Sequence, residues 1–103
     1  MANRSYGKKK DARRNNFFIL PNEVFNQGFN VYELAVYAFL VRAMDRNTKQ
    51  SYWSVHRIAE QCNMSENTCR KALHSLENQQ FISISKRFSD RAQQTNIYTV
   101  HEI

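Results

Sequence analysis

The stretch "SVHRIAEQCNMSENTCRKALHSL", residues 54–76, is the tightest constraint on the fold, because it starts two helices in close succession. Ser54 can accept from the free backbone N–H groups of a helix over Val55 to Gln61, with Trp53 before it and Ile58 after it as an apolar staple. Ser65 can do the same for a helix over Glu66 to Asn78, with Met64 before it. Only "CNM" lies between them, so the chain must turn sharply at Asn63. Asparagine is the best substitute for glycine in the left-handed backbone that such a turn requires. Two capped helices joined this closely make a helix-turn-helix. The apolar spacing agrees. Val55, Ile58, Ala59 and Cys62 share one face of the first helix, and Cys69, Ala72, Leu73 and Leu76 share one face of the second, at i, i+3, i+4 and i+7.

The same stretch holds both cysteines and two of the three histidines, His56 and His74. Structural zinc sites supply ligands in tight pairs, whereas the order here is His-x5-Cys-x6-Cys-x4-His. His74 also lies about 140° from Cys69 around its own helix, so the ligands diverge. Without a secretion signal the cysteines are expected to be reduced thiols, each behaving as a small buried hydrophobe. There is no glycine-rich phosphate loop, paired-acid constellation or nucleophile elbow, so neither catalysis nor a metal or other cofactor is expected.

The outward face of the second helix carries the chemistry. With Cys69 at zero, Asn67, Arg70, Lys71, His74 and Asn78 cluster between about 100° and 200°, opposite the core stripe. Arg and Lys can donate to guanine O6 and N7, and Asn can pair bidentately with adenine. The second helix of this motif is the one that enters the major groove of double-stranded DNA. Glu66 suits the positive end of the helix and can also accept from a cytosine amino group. Ser54 and His56 would sit close to the DNA backbone, and Ser65 at the start of the second helix is a further candidate contact.

Charge is distributed unevenly along the 103 residues. Residues 1–16 hold Arg4, Lys8, Lys9, Lys10, Arg13 and Arg14 against Asp11 alone, which accounts for +5 of the net +6. The remainder is nearly neutral, so the polyanion attraction resides in an arm rather than in a basic domain. The arm has no aliphatic anchors, and it is expected to be flexible until Lys8, Lys9, Lys10, Arg13 and Arg14 meet phosphates. Residues 17–103 are then one small domain, of a length that supports a single core. No apolar run approaches the roughly 18 residues that span a bilayer, and nothing resembles a signal peptide, so a cytoplasmic protein without a membrane partner is expected.

Order is expected from "FFILPNEVFNQGFN" onward, with an extended apolar run, a short turn at Val24 and Phe25, and positive φ at Gly28. Asn30 and Glu33 form a capping box, with Phe29 and Leu34 as its staple, opening a helix from Val31 to Asp45 or Arg46. That helix is apolar around most of its circumference and needs cover on more than one side. The Phe-rich segment and later helices can supply it, or a second copy of the chain can, through helix 31–46 or the N-terminal segment. A short strand is expected at Tyr52 and Trp53. After the helix-turn-helix, "FISISK" and "NIYTV" alternate as paired strands with Tyr98 and Val100 on one face. The loop between them, "RFSDRAQQT", carries Arg87 and Arg91 with Lys86 at its base, a wing over 86–95 whose cations can follow phosphates or the minor groove. The expected fold is mainly α with a small β-hairpin: a winged helix-turn-helix with a three-helix core plus wing.

From about Phe17 to Val100 the chain resembles bacterial winged-helix proteins with a helix-turn-helix domain found in conjugative elements, plasmids and phages. The matching stretches are "FFILPNEVFNQGFNVYELAVYAFL", "YWSVHRIAEQCNMSENTCRKALHSLENQQFI" and "TNIYTV". The resemblance implies sequence-specific DNA binding, with Asn67, Thr68, Arg70 and Lys71 on the matching recognition helix. It departs where such proteins often have "EKG" before the wing. Here the chain reads "ENQQ", with Gln79 or Gln80 in place of the glycine. The resulting expectation is a homodimeric transcriptional regulator, with a replication or transfer accessory DNA-binding protein as the nearest alternative. A winged helix used for protein interaction is a more distant one.

Overall fold

The computed structural model describes residues 17–87 and 95–103. Its elements follow the local signals closely. A 3-10 turn over Asn22–Asn26 leads to Gly28, which takes φ 78°. Helix α1, Val31–Ala43, opens on the expected capping box: the Asn30 side chain accepts from the Glu33 N–H at 2.8 Å, and Glu33 accepts from the Asn30 N–H at 2.9 Å. Strand β1 spans Gln50–Trp53, α2 spans Val55–Gln61, α3 spans Glu66–Asn78, and strands β2 and β3 cover Ile82–Arg87 and Thr95–Val100.

Three boundaries differ from the sequence reading. Helix α1 stops at Ala43 instead of Asp45 or Arg46, because the Asp45 carboxylate accepts from the N–H groups of Asn47 and Thr48 at 2.7 and 3.1 Å and makes a turn of its own. Lys49, at φ 63°, then reverses the chain into β1. The sheet has three strands rather than a two-stranded hairpin. Its order is β1-β3-β2, all antiparallel, with Ser51 opposite Tyr98 and Ile82 opposite Val100. Lys86 lies in β2 as expected, but Arg87 and Thr95, expected in the loop, pair with each other at the ends of β2 and β3, and Phe81 falls outside the strand. Arg91 and the rest of that connection lie outside the described residues, as do Lys8, Lys9, Lys10, Arg13 and Arg14.

Both helices of the motif end alike. At the end of α2, the Asn63 N–H bonds to Glu60 O and the Met64 N–H to Ala59 O; at the end of α3, the Gln80 N–H bonds to Glu77 O and the Phe81 N–H to Leu76 O. These are Schellman closures, and the residue at the left-handed position is Asn63 in one and Gln80 in the other, at φ 56° and 68°. Within "ENQQ" it is thus Gln80, not Gln79, that takes the left-handed conformation glycine favours.

The core lies between the three helices and one face of the sheet. It contains Val36, Tyr37 and Leu40 of α1, Ile58 and Ala59 of α2, Cys69, Ala72, Leu73 and Leu76 of α3, and Ile82, Tyr98 and Val100 of the sheet. Much of the apolar circumference of α1 is covered within the chain. Phe29 and Phe81 pack edge to face at 4.8 Å beside Tyr37, while Phe39 meets Trp53 at 5.1 Å on another side. Glu33 is 8% exposed and ties α1 to α3: its carboxylate accepts from the Ser75 hydroxyl and, at 3.5 Å, from the Gln79 amide. The result is a winged helix-turn-helix, three helices with a three-stranded antiparallel sheet.

Candidate nucleic-acid interface

Helix α3 is capped at both ends, which fixes its backbone and hence the face on which each residue lies. The Ser65 hydroxyl accepts from the Thr68 N–H at 3.1 Å and donates to the Thr68 hydroxyl at 3.0 Å, so these two residues serve the cap of the helix. Its inward stripe, Cys69, Ala72, Leu73 and Leu76, is buried as the spacing predicts. Asn67, Arg70, Lys71, His74 and Asn78 are all exposed and line one shallow depression along the outer face. Thr68 is half-buried beside them.

Helix α2 contributes from behind. The Ser54 hydroxyl accepts from the Arg57 N–H at 3.2 Å, which fixes the first turn. His56 is exposed and reaches the start of α3, with Nδ1 2.8 Å from Glu66 Oε2, while its Nε2 lies 3.6 Å from Glu60. Glu66 also meets Arg70 one turn along α3, at 3.4 Å. The His56 hydrogen bond, aided by the charges of His56 and Arg70, holds the Glu66 carboxyl below its ordinary range. Arg57 completes the group, 3.7 Å from Glu60 and over the Trp53 ring at 5.9 Å. The sequence reading placed His56 and Glu66 near the interface but did not join them. Their contact crosses the turn, so only the helix-turn-helix geometry brings it about. Arg57 and Glu60 sit at i, i+3 in the sequence, a spacing that could have flagged them.

The cysteines belong to the core. Burial pushes the Cys69 thiol up to about 11 and raises Cys62 as well, whose Sγ lies 3.8 Å from the Ala35 carbonyl oxygen. Among the described residues, no three of His, Cys, Asp or Glu converge as a metal ion would require, and no helix is long and apolar enough to cross a membrane. In the wing, Lys86 is exposed on β2, and the Tyr98 hydroxyl accepts from the Asn96 amide at 2.8 Å between the hairpin and the core.

Comparison with known proteins bears on this geometry. A sequence profile described as a helix-turn-helix domain matches residues 28–82, which include α1, β1, α2 and α3. No curated protein matches the chain. Among solved structures, a possible transcriptional regulator from Methanosarcina mazei Go1 superposes with a TM-score of 0.60 at 14% identity, over 84% of this chain and 76% of that one. At that identity the likeness is one of fold.

Proposed function

The chain belongs to the helix-turn-helix domain family, a DNA-binding fold, and from that premise we propose that it binds double-stranded DNA sequence-specifically as a transcriptional regulator. One observation carries the reading: on the second helix of the motif, Asn67, Arg70, Lys71, His74 and Asn78 stand exposed on a single face that the core does not use. Arginine and lysine there suit guanine, and asparagine suits adenine. Ser54 and His56 would approach the backbone from α2, Ser65 and Thr68 from the start of α3. Lys86, Arg87 and Arg91 of the wing, with Lys8, Lys9, Lys10, Arg13 and Arg14 of the arm, would neutralise phosphates.

Dimerisation is part of the proposal. Phe17 and Ile19 are 51% and 70% exposed, and with Phe18, Val41, Met44 and Ile103 they line a groove of about 480 Å³. A second copy seated there would bury them and present two recognition helices to a two-fold site. A shift to monomer on Ile19→Glu, read by sedimentation, is the expected result.

Titration of a labelled duplex at increasing salt tests the reading. Binding should weaken steeply with salt, and Arg70→Ala or Lys71→Ala should weaken it about tenfold with the melting temperature unchanged. Undetectable binding at low salt would overturn it in favour of a winged helix used for protein contacts.

A further inference from the structure

Glu66 is an acid at the leading end of a face otherwise suited to a polyanion, and both its carboxylate oxygens are engaged. Oε2 lies 2.8 Å from His56 Nδ1, and Oε1 lies 3.4 Å from Arg70 Nη2. The His56 ring is itself flanked on its other nitrogen by Glu60 at 3.6 Å. The carboxylate is thus anchored from α2, across the turn, while it touches the arginine at the centre of the exposed α3 face. Burial plays no part in this: Glu66 and Arg70 are solvent-accessible, so the pair adds little to folding stability. Its consequence must be sought in what Arg70 can do.

Binding to unrelated DNA is almost wholly an attraction between cations and phosphates, whereas discrimination comes from directed bonds to base edges. A guanidinium presents five N–H donors in a rigid fork, so one edge can stay on a carboxylate while another faces a guanine. A carboxylate beside it offsets its charge toward phosphates and limits the directions in which its other edge points.

We propose that Glu66 is a specificity-determining residue: oriented by His56, it holds Arg70 in one direction and offsets its charge, so that α3 favours a guanine-containing site over DNA at large. The inference rests on α3 being the DNA-reading helix.

The test compares the affinity for a duplex selected from a random pool with that for an unrelated duplex of equal length. In the wild type the selected site should win; absence of any preference would overturn the reading of α3 and this inference together. Glu66→Gln should lower that preference about five- to tenfold, mainly by tightening binding to the unrelated duplex, within what one arginine–guanine pair contributes. Glu60→Gln removes the same single charge from the cluster without touching Arg70 and should leave the preference within about twofold. In an Arg70→Ala background, Glu66→Gln should no longer alter it. If Glu60→Gln matches Glu66→Gln, or if the Glu66→Gln effect survives the loss of Arg70, Glu66 acts only as a general negative charge. The inference then falls while the DNA reading stands.

Discussion

At Asn63 and Gln80 the backbone is left-handed, and the two residues differ in how well they tolerate it. Asparagine bonds locally and accepts this conformation, so Asn63 was legible from the sequence as the turn between the helices. Glutamine has no such preference. The resemblance implied a glycine after α3 where this chain has none, but not which of Gln79 and Gln80 would bear the strain. Replacing Gln80 with glycine should stabilise the fold by about 0.5–1 kcal/mol in urea denaturation, because relief of the left-handed strain outweighs the freedom glycine gains in the unfolded chain. A loss of stability would contradict the assignment. Cys69 offers a second measurement at this scale. The unfolded thiol ionises near pH 9.0, whereas burial keeps the folded thiol protonated to about 11. The stability Cys69 contributes is therefore complete below pH 9.0 and is lost as pH rises through that window. Alkylation at pH 8 should modify the half-buried Cys62 well before Cys69, read by mass spectrometry of the peptides.

Among the elements, the locally specified ones were the most legible. The bounds of α2 and α3 are those the caps and the apolar spacing predict, since each helix carries its own start signal and α2 also its stop at Asn63. Helix α1 is shorter than expected because Asp45 favours a turn through its own side chain, and the backbone N–H groups of Thr48 and Asn47 hold its carboxyl below the ordinary range. Strand β1 was visible as a short strand, but its pairing with β3 joins residues nearly fifty positions apart, and no local pattern encodes that. Glu33 shows both situations in one side chain. Its capping box with Asn30 is written in the sequence, whereas its bonds to Ser75 and Gln79 on α3 depend on how the helices pack. Glu33→Ala should therefore cost more than an ordinary cap: about 2–3 kcal/mol in urea denaturation, against about 1 kcal/mol for Ser65→Ala. Equal losses would show that the link between α1 and α3 contributes nothing.

For the whole molecule, the separation of charge from shape is the central feature. The first 16 residues carry +5 of the net +6, while residues 17–103 carry +1 and present the exposed polar face of α3. Adhesion then falls to the arm and discrimination to α3. Deleting residues 1–16 should weaken binding and reduce the salt slope by about 4.5 units, if Lys8, Lys9, Lys10, Arg13 and Arg14 each neutralise one phosphate. The preferred sequence should not change. A slope that stayed as steep would return the electrostatic contact to the domain.

Selection of bound sequences from a random duplex pool, run in parallel on the wild type and on Asn67→Ala and Arg70→Ala, tests most directly whether the outward face of α3 reads bases. The wild type should enrich one motif and each variant should relax it at its own position, with two-fold related half-sites about one helical turn apart for a dimer. A pool that remains unenriched, or a motif that is identical in all three proteins, would contradict that reading.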